Sequence, residues 1–155
     1  MNALSIWQPH ASLLLAGLKP YETRGWRLPA ALLGQRIAIH AGKSTSDLEE
    51  LAEYVHDRRE SGAPAEEAFD RYVRAILAAG FQRFNEMPRG CLIGTLVFSA
   101  CLPAEQIDDH QDFGHFGPGR FGWRASDVKL LPEPVPFRGM QGFFRVPDEL
   151  LAGVT

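Results

Sequence analysis

Apolar and polar residues alternate along several short stretches of the chain, with the period of two that is typical of half-buried strands. Two of these stretches, residues 4–7 and 36–40, lie near the N-terminus, and residues 127–131 lie near the C-terminus, where residues 142–146 are also predicted to form a strand. Between them, residues 91–98 are almost continuously apolar, which indicates a buried strand. The prolines at 132, 134 and 136 indicate an edge strand or an extended connection.

Three other stretches follow the helical period. Pro9 suits the first turn of a helix over residues 9–16, which Gly17 would end in a left-handed conformation. A capping box formed by Ser46 and Glu49 predicts a second helix over Ser46–Ser61. Pro64 would begin a third, over residues 64–79, and Gly80 would end it. The interval of about 44–88 therefore reads as a helical pair inserted between strands.

Short strands with helices that do not alternate regularly predict an α+β fold, an open or closed β-barrel with helices at its side. The 155 residues, 45% hydrophobic and 23% charged, suit one globular domain spanning 1–155. Cys91 and Cys101 have no metal-ligand spacing, so we expect reduced thiols in the core. No apolar run is long enough to be a signal or a membrane span, which predicts a cytoplasmic protein without membrane contact.

Charge is distributed unevenly. The whole chain carries a formal charge of −3, which argues against an indiscriminate nucleic-acid binder. Residues 44–88 carry five basic and ten acidic side chains, whereas residues 1–43 carry five basic side chains and one acidic one. The N-terminal segment can therefore supply a basic face to an otherwise acidic protein.

Candidate chemistry is concentrated directly after the first predicted helix, where Lys19, Glu22 and Arg24 lie within six residues. If this segment is extended from Glu22, then Glu22, Arg24 and Trp26 share one face. One interpretation is an ion-paired strand start with Trp26 in the core. The other is that Lys19 and Arg24 bind phosphate or carboxylate while Glu22 orients them or transfers a proton.

Four blocks of the sequence together resemble the ASCH domain family, named for the activating signal cointegrator homology region. The blocks, in chain order, are Ser5-Ile6-Trp7-Gln8-Pro9, then Gly17-x-Lys19-x-x-Glu22-x-Arg24-x-Trp26, then the stretch from Ile37 to Lys43, and finally Phe121-Gly122-Trp123-Arg124-x-Ser126. The resemblance implies a PUA-like β-barrel with flanking helices, whose cleft beside the first helix is lined by Lys19, Glu22 and Arg24.

The resemblance also implies a role in RNA or modified-nucleotide biology. We accordingly expect the partner to be single-stranded RNA or a modified nucleoside or nucleotide, bound without a cofactor. Besides Arg24, the candidate contact residues are Trp7, Gln8, Trp26, His40, Arg120, Trp123 and Arg124. Core packing is the alternative interpretation of the aromatic residues near 113–123.

A hydrolase is the alternative function that the resemblance implies. Amidohydrolase-like members, which remove acyl groups from modified cytidine, use a threonine three residues after the motif lysine, but that position here is Glu22 and Thr23 follows it. For a metal-independent ribonuclease, the candidate catalytic residues besides Lys19 and Glu22 are Lys43, as the cation that stabilises the transition state, and Ser126, as a phosphate-binding hydroxyl.

Two further features remain less specific. The run Asp108-Asp109-His110-x-Asp112 contains metal-capable side chains but lacks a glycine-turned ligand frame, so we expect no metal there. The glycine-rich segment 113–119 is typical of a loop at the rim of a cleft. An adaptor function through the acidic helices is a third interpretation, and the choice between monomer and homodimer stays open.

Overall fold

The computed structural model describes residues 1–62, 64–110 and 113–155. Within those ranges the chain forms six strands and three α-helices. In chain order these are β1 (Asn2–Ile6), α1 (His10–Leu15), β2 (Tyr21–Arg24), β3 (Arg36–Ala41), α2 (Ser46–Ser61), α3 (Glu67–Ala78), β4 (Cys91–Pro103), β5 (Phe121–Pro136) and β6 (Phe143–Arg145). None of the helices in these ranges is long and apolar enough to cross a bilayer.

All six strands belong to one mixed sheet in the order β2-β5-β4-β3-β1-β6. Only β1 and β3 run parallel, and the other neighbours are antiparallel. The register of β4 shifts three times against β5 and once against β3, and bulges of this kind bend a strand and increase its twist. The sheet curls into a half-barrel, which confirms the predicted α+β fold with a barrel-like sheet.

The central strands are buried on both faces because successive side chains point to opposite sides. On one face Leu4, Ile37 and Ile39 pack with Leu14 of α1 in the main core. On the other face Ala3 and Ala38 pack with Leu151 and Val154 from the C-terminal segment, among other residues. The first helix is therefore fixed against the concave sheet, and the chain that follows it has a defined direction.

The helical pair packs on α1 and not directly on the sheet core. Leu13 of α1 is fully buried in a third cluster with Leu48, Leu51 and Ile76 from the two inserted helices. Because α1 carries Leu14 towards the sheet and Leu13 towards the insertion, this short helix joins the two layers.

Helix α2 spans Ser46–Ser61 as predicted, but its cap differs from the sequence prediction, and so does the start of α3. Residue 46 is already helical, so Thr45 occupies the cap position, and its hydroxyl donates to the Glu49 carboxylate at 2.5 Å instead of capping a backbone N–H. The third helix begins at Glu67 and not at Pro64, because the backbone N–H of Glu66 donates to the Tyr54 hydroxyl of α2 at 3.0 Å.

Strands β4 and β5 are longer than predicted. The apolar run that predicted β4 ends before the strand does, and bulges interrupt the alternation along β5. The three prolines lie within β5. Only the Phe121–Arg124 part of β5 pairs with β2, so the outer side of its later part has no strand neighbour among the described residues. Prolines are tolerated there because no ladder hydrogen bond is lost.

Replacing Gly94 by alanine is expected to destabilise the fold by about 1–3 kcal/mol, the usual cost of overpacking. A Cβ at this position of β4 would clash with the Lys129 carbonyl oxygen and would lie 2.9 Å from Leu15 Cδ1. Urea denaturation measures the change, and Ser99→Ala on an exposed position of the same strand is the matched control. Equal stability of the two variants would show that α1 does not pack as closely on the sheet as described.

Candidate functional site

The turn between α1 and β2 positions the charged segment identified in the sequence. Gly17 adopts a positive φ of 71°, and the Leu13 carbonyl then accepts hydrogen bonds from the backbone N–H groups of both Leu18 and Lys19 at 3.0 Å. The chain folds back under the helix, and Lys19 becomes buried. Strand β2 starts two residues later and pairs with β5, where Glu22 lies opposite Trp123.

Lys19, Glu22 and Arg24 meet in one buried ionic cluster. The Lys19 Nζ atom lies 3.0 Å from Glu22 Oε2, and Arg24 Nε lies 2.9 Å from Glu22 Oε1, although that N–H is not aligned for a hydrogen bond. Lys19 is 2% exposed and Glu22 is 5% exposed. Arg24 also donates from Nη2 to the carbonyl oxygen of Ser5 at 3.1 Å, which ties β2 to β1.

The ionic cluster keeps the Glu22 carboxylate charged. Burial by itself would raise the pKa of Glu22, but the adjacent cations of Lys19 and Arg24 outweigh burial and lower it. Glu22 is thus a fixed hydrogen-bond acceptor and not a resting proton donor. A carboxylate has about four lone-pair sites, so it can still accept from a ligand while it contacts both cations.

His10 extends this cluster to the inserted helices. Its Nδ1 atom lies 3.2 Å from Lys19 Nζ, and its Nε2 atom lies 3.4 Å from the Asp47 carboxylate at the start of α2. Burial and the Lys19 charge lower the pKa of His10, so the neutral ring can accept from Lys19 and present Nε2–H to Asp47. Tyr72 of α3 packs edge-on against His10, and burial together with Asp47 raises the pKa of Tyr72 to about 12.

Two adjoining cavities open beside the cluster. One of about 620 Å³, here called the motif cavity, is lined by Lys19 and Glu22, together with Thr23, Trp26, Tyr72 and Arg120. The other, of about 550 Å³ and here called the loop cavity, is lined by His40, Lys43 and the loop of residues 138–142. Ser5, Trp7 and Arg24 line both cavities and form the wall between them.

Two tryptophans at the cavities are unusually exposed. Trp7 is 53% exposed, and a Cβ on Gly42 would lie 2.8 Å from Trp7 Cδ1, so the indole fits closely against the backbone there. Trp26 is 41% exposed and packs edge-on against Trp123, with ring centroids 4.8 Å apart. Trp26 is therefore supported by the core without being part of it. The first sequence interpretation placed Trp26 in the core, and that part of it is wrong, whereas the ion-paired strand start is observed.

Cations outnumber acids around the cavities. Among the described lining residues, Lys19, Arg24, Lys43, Arg120 and Arg138 face the single carboxylate Glu22, a formal charge of +4. Arg120 donates to the carbonyl oxygens of His115 and Thr23 and so lies along the rim. Lys43 and Arg138 are exposed and make no hydrogen bond or ion pair with the described part of the chain.

Several candidate residues from the sequence lie elsewhere. Trp123 is fully buried, so its side chain cannot stack on a ligand, and this prediction is corrected. Gln8 is also fully buried, and its amide is used to hold Ser12 and the Pro88 carbonyl. The Ser126 hydroxyl donates to the Val97 carbonyl at 3.1 Å, and Arg124 bonds to Tyr21 and Asp109. Neither lines the motif cavity or the loop cavity.

His40 lines the loop cavity, but both of its ring nitrogens already have partners. Its Nε2–H donates to the Phe137 carbonyl at 2.9 Å, and its Nδ1 lies 3.0 Å from the Ser5 hydroxyl. Burial lowers the pKa of His40, which agrees with a neutral ring that holds the loop in place. In the described ranges, no group of three or more His, Cys, Asp or Glu residues could hold a metal ion, and Asp112 lies outside them.

Sequence reasoning missed His10, Asp47, Tyr72 and Arg138. His10 directly follows the first of the four blocks, so its position was a usable signal. Asp47 and Tyr72 belong to the helical pair, which was assigned to an outer layer, and Arg138 lies more than a hundred residues from the motif. No spacing rule connects such distant positions.

Comparisons with known proteins identify a family and a fold. The model of the ASCH domain matches residues 4–127. Among solved structures, a tyrosine-to-phenylalanine mutant of ZmASCH from Zymomonas mobilis has a TM-score of 0.50 and 13% identity, over 96% of this chain and 91% of that one. A serine-to-alanine mutant of ZmASCH has a TM-score of 0.50 and 14% identity, over 96% and 89%. No curated protein matches the sequence significantly.

Glu22→Gln is expected to cost about 3–5 kcal/mol of stability at pH 7, because it removes one partner of a buried ion pair. The folded-state pKa of Glu22 lies below its ordinary value of 4.5, so this contribution is present above pH 4.5 and is lost as the pH falls through the lowered pKa. The difference in unfolding free energy between wild type and Glu22→Gln should therefore shrink below pH 4.5. Urea denaturation at several pH values between about 3 and 7 measures this difference in unfolding free energy.

The exposed Glu133 on β5 offers the matched control, since Glu133→Gln removes an equal charge without breaking the cluster. A Glu22→Gln protein whose stability follows pH as the control does would mean that Lys19 and Arg24 do not stabilise the charged carboxylate.

Proposed function

The chain belongs to the ASCH domain family, and from that premise we propose that it binds single-stranded RNA or a modified nucleotide in the motif cavity and the loop cavity. The observation that carries the proposal is the charge around the two cavities. Their described lining has a formal charge of +4, whereas the whole chain has a formal charge of −3. Cations concentrated in a concave site attract an anionic ligand to that site, while the rest of the protein surface does not bind nucleic acid non-specifically.

The aromatic residues at the cavities support a ligand with a flat ring. Sequence-specific RNA recognition depends on bases that leave the stack and pack on aromatic side chains or guanidinium planes. Trp7 and Trp26 are 53% and 41% exposed, and both line the motif cavity together with Arg24. A base can stack on one of these indoles while its sugar and phosphate stay near the cations.

The ionic cluster supplies the polar floor of the motif cavity. Lys19 presents a donor and Glu22 presents an acceptor, and their mutual contact fixes both in place before any ligand arrives. Fixed donors and acceptors read the edge of a base with little cost for ordering side chains. The motif thus selects the ligand, and the cations outside the cluster contribute most of the affinity.

Lys43→Ala is expected to weaken binding of single-stranded RNA irrespective of sequence. It should also reduce the slope of log affinity against log salt by about 0.7, because one phosphate contact is lost. Trp7→Ala should instead cost about 1–3 kcal/mol without changing that slope, since stacking releases few counterions. Fluorescence anisotropy with a labelled oligonucleotide at several salt concentrations measures both.

Arg59→Ala is the matched control, because Arg59 is an exposed cation on α2 outside both cavities. If Arg59→Ala and Lys43→Ala reduced the slope of log affinity against log salt equally, RNA would bind to the charged surface in general and not in the cavities, and the proposal would fail.

A hydrolase working in the same cavity is the second candidate, and one observation favours it. Thr23 lines the motif cavity together with Lys19 and Glu22, and its hydroxyl lies beside Gly114 and His115 of the same lining. Lys19 and Glu22 are a cation and a carboxylate suited to transition-state stabilisation and proton transfer. Thr23 accepts a hydrogen bond from the His115 N–H at 3.3 Å, so its own proton remains available. Ser126, the earlier candidate hydroxyl, does not line this cavity.

Turnover of labelled single-stranded RNA or of acylated cytidine, measured with and without a chelator, separates the two candidates. Binding without turnover is the outcome expected from the proposed function. Chelator-resistant turnover that is lost in Thr23→Val and retained in Ser126→Ala would replace it with the hydrolase.

A further inference from the structure

The two adjoining cavities differ in chemistry. The motif cavity has both a buried acceptor, Glu22, and a buried donor, Lys19. The lining of the loop cavity contains Arg24, Lys43 and Arg138 and, among the described residues, no carboxylate. The first environment suits a neutral group that both donates and accepts hydrogen bonds, whereas the second suits an anion.

The loop cavity is bounded by a firmly seated loop. The Phe137 carbonyl accepts a hydrogen bond from His40, and a Cβ on Gly139 would lie 2.6 Å from His40 Nδ1 and 2.7 Å from the Ser5 hydroxyl oxygen. The backbone at 137–139 therefore lies directly on the ends of β1 and β3. Arg138 projects from this supported backbone and is exposed, so its position depends on the loop and not on a neighbouring acid.

Lys43 approaches the same cavity from the other side. It lies two residues after the end of β3, and a Cβ on Gly90 would lie 3.0 Å from Lys43 Cε, so its aliphatic stem packs against the backbone before β4. Arg24 reaches the cavity from the shared wall, held by Glu22 and the Ser5 carbonyl. Three cations from three separate segments thus converge with no acid to neutralise Lys43 or Arg138.

We propose that the two cavities together bind one nucleotide with a terminal phosphomonoester, its base in the motif cavity and its phosphate in the loop cavity. This inference rests on the proposed function and narrows its ligand class. A phosphomonoester carries a charge of about −1.5 to −2 at pH 7, compared with −1 for a diester, so it uses three cations more fully. The monoester is found both on free nucleoside monophosphates and at the ends of RNA strands.

Isothermal titration calorimetry with the full chain tests the assignment. Each of the four nucleosides is compared with its 3′- and 5′-monophosphates at low salt. One of the two monophosphate series should bind at least about tenfold more tightly than the nucleosides, the effect of adding charge-assisted hydrogen bonds. Short oligonucleotides with and without the corresponding terminal phosphate then distinguish an RNA end from a free nucleotide as the source.

Arg138→Ala should abolish most of the preference for the monophosphate over the nucleoside, and Lys43→Ala should do the same. Trp26→Ala, by contrast, should weaken nucleoside and monophosphate by the same factor. Arg59→Ala serves again as the control for loss of a surface cation. Circular dichroism confirms folding of each variant, and the ligand series with the unaltered protein tests the proposal independently of any variant.

Equal affinity for nucleosides and both monophosphates would overturn the assignment of phosphate to the loop cavity. So would a preference for the monophosphate that survives in the Arg138→Ala/Lys43→Ala double variant. If oligonucleotides bind in either case, the proposed function stands and only the assignment of a terminal phosphomonoester to the loop cavity fails. If neither nucleotides nor oligonucleotides bind, the proposed function fails and this assignment fails with it.

Discussion

The constraint on which the rest of the site depends is the burial of Lys19 beside Glu22. Charges removed from water cost several kcal/mol each unless they are paired in good geometry, so the two side chains must be brought together for the chain to fold in this way. Their contact at 3.0 Å closes the turn that leaves α1 and sets where β2 begins. Arg24, two residues further on, then reaches β1 through the Ser5 carbonyl. The ionic cluster thereby joins the turn after α1 to the edge strand β2 and to β1, which lies next to the opposite edge of the sheet.

The two inserted helices contribute residues to the candidate site. Asp47, at the start of α2, faces the imidazole of His10, and Tyr72 of α3 lines the motif cavity. Their hydrophobic contact with α1 runs through Leu13, whose carbonyl also closes the turn before the motif. The packing of the insertion and the placement of Lys19 are therefore linked through the same helix, although the insertion and the motif are well separated in sequence.

The sequence predicted best those features that depend on residues close together along the chain. Alternation identified β1 and β3, Gly17 identified the end of α1, and the spacing of Lys19, Glu22 and Arg24 identified side chains that do meet. Local signals failed where tertiary contacts decided the outcome. The Tyr54 hydroxyl accepts a hydrogen bond from the Glu66 N–H, so α3 starts after Pro64, and no residue near Pro64 in the sequence predicts this contact. Trp123 was a reasonable candidate for stacking on a ligand, but Trp26, Phe98 and Phe143 pack against it in the fold. Arg138 lines the loop cavity although it is distant from the motif in sequence.

Arg24 lines both cavities, and this sharing has a consequence for how they respond to ligands. Arg24 directs Nε towards Glu22 and Nη2 to the Ser5 carbonyl, so two small molecules, one in each cavity, would compete for its remaining N–H donors and bind with negative cooperativity. Because such coupling is reciprocal, each would weaken the other by the same factor. One ligand that spans the wall avoids this competition, because Arg24 can contact the junction between its two halves. The shared arginine therefore makes the pair of cavities discriminate between one linked molecule and its two fragments.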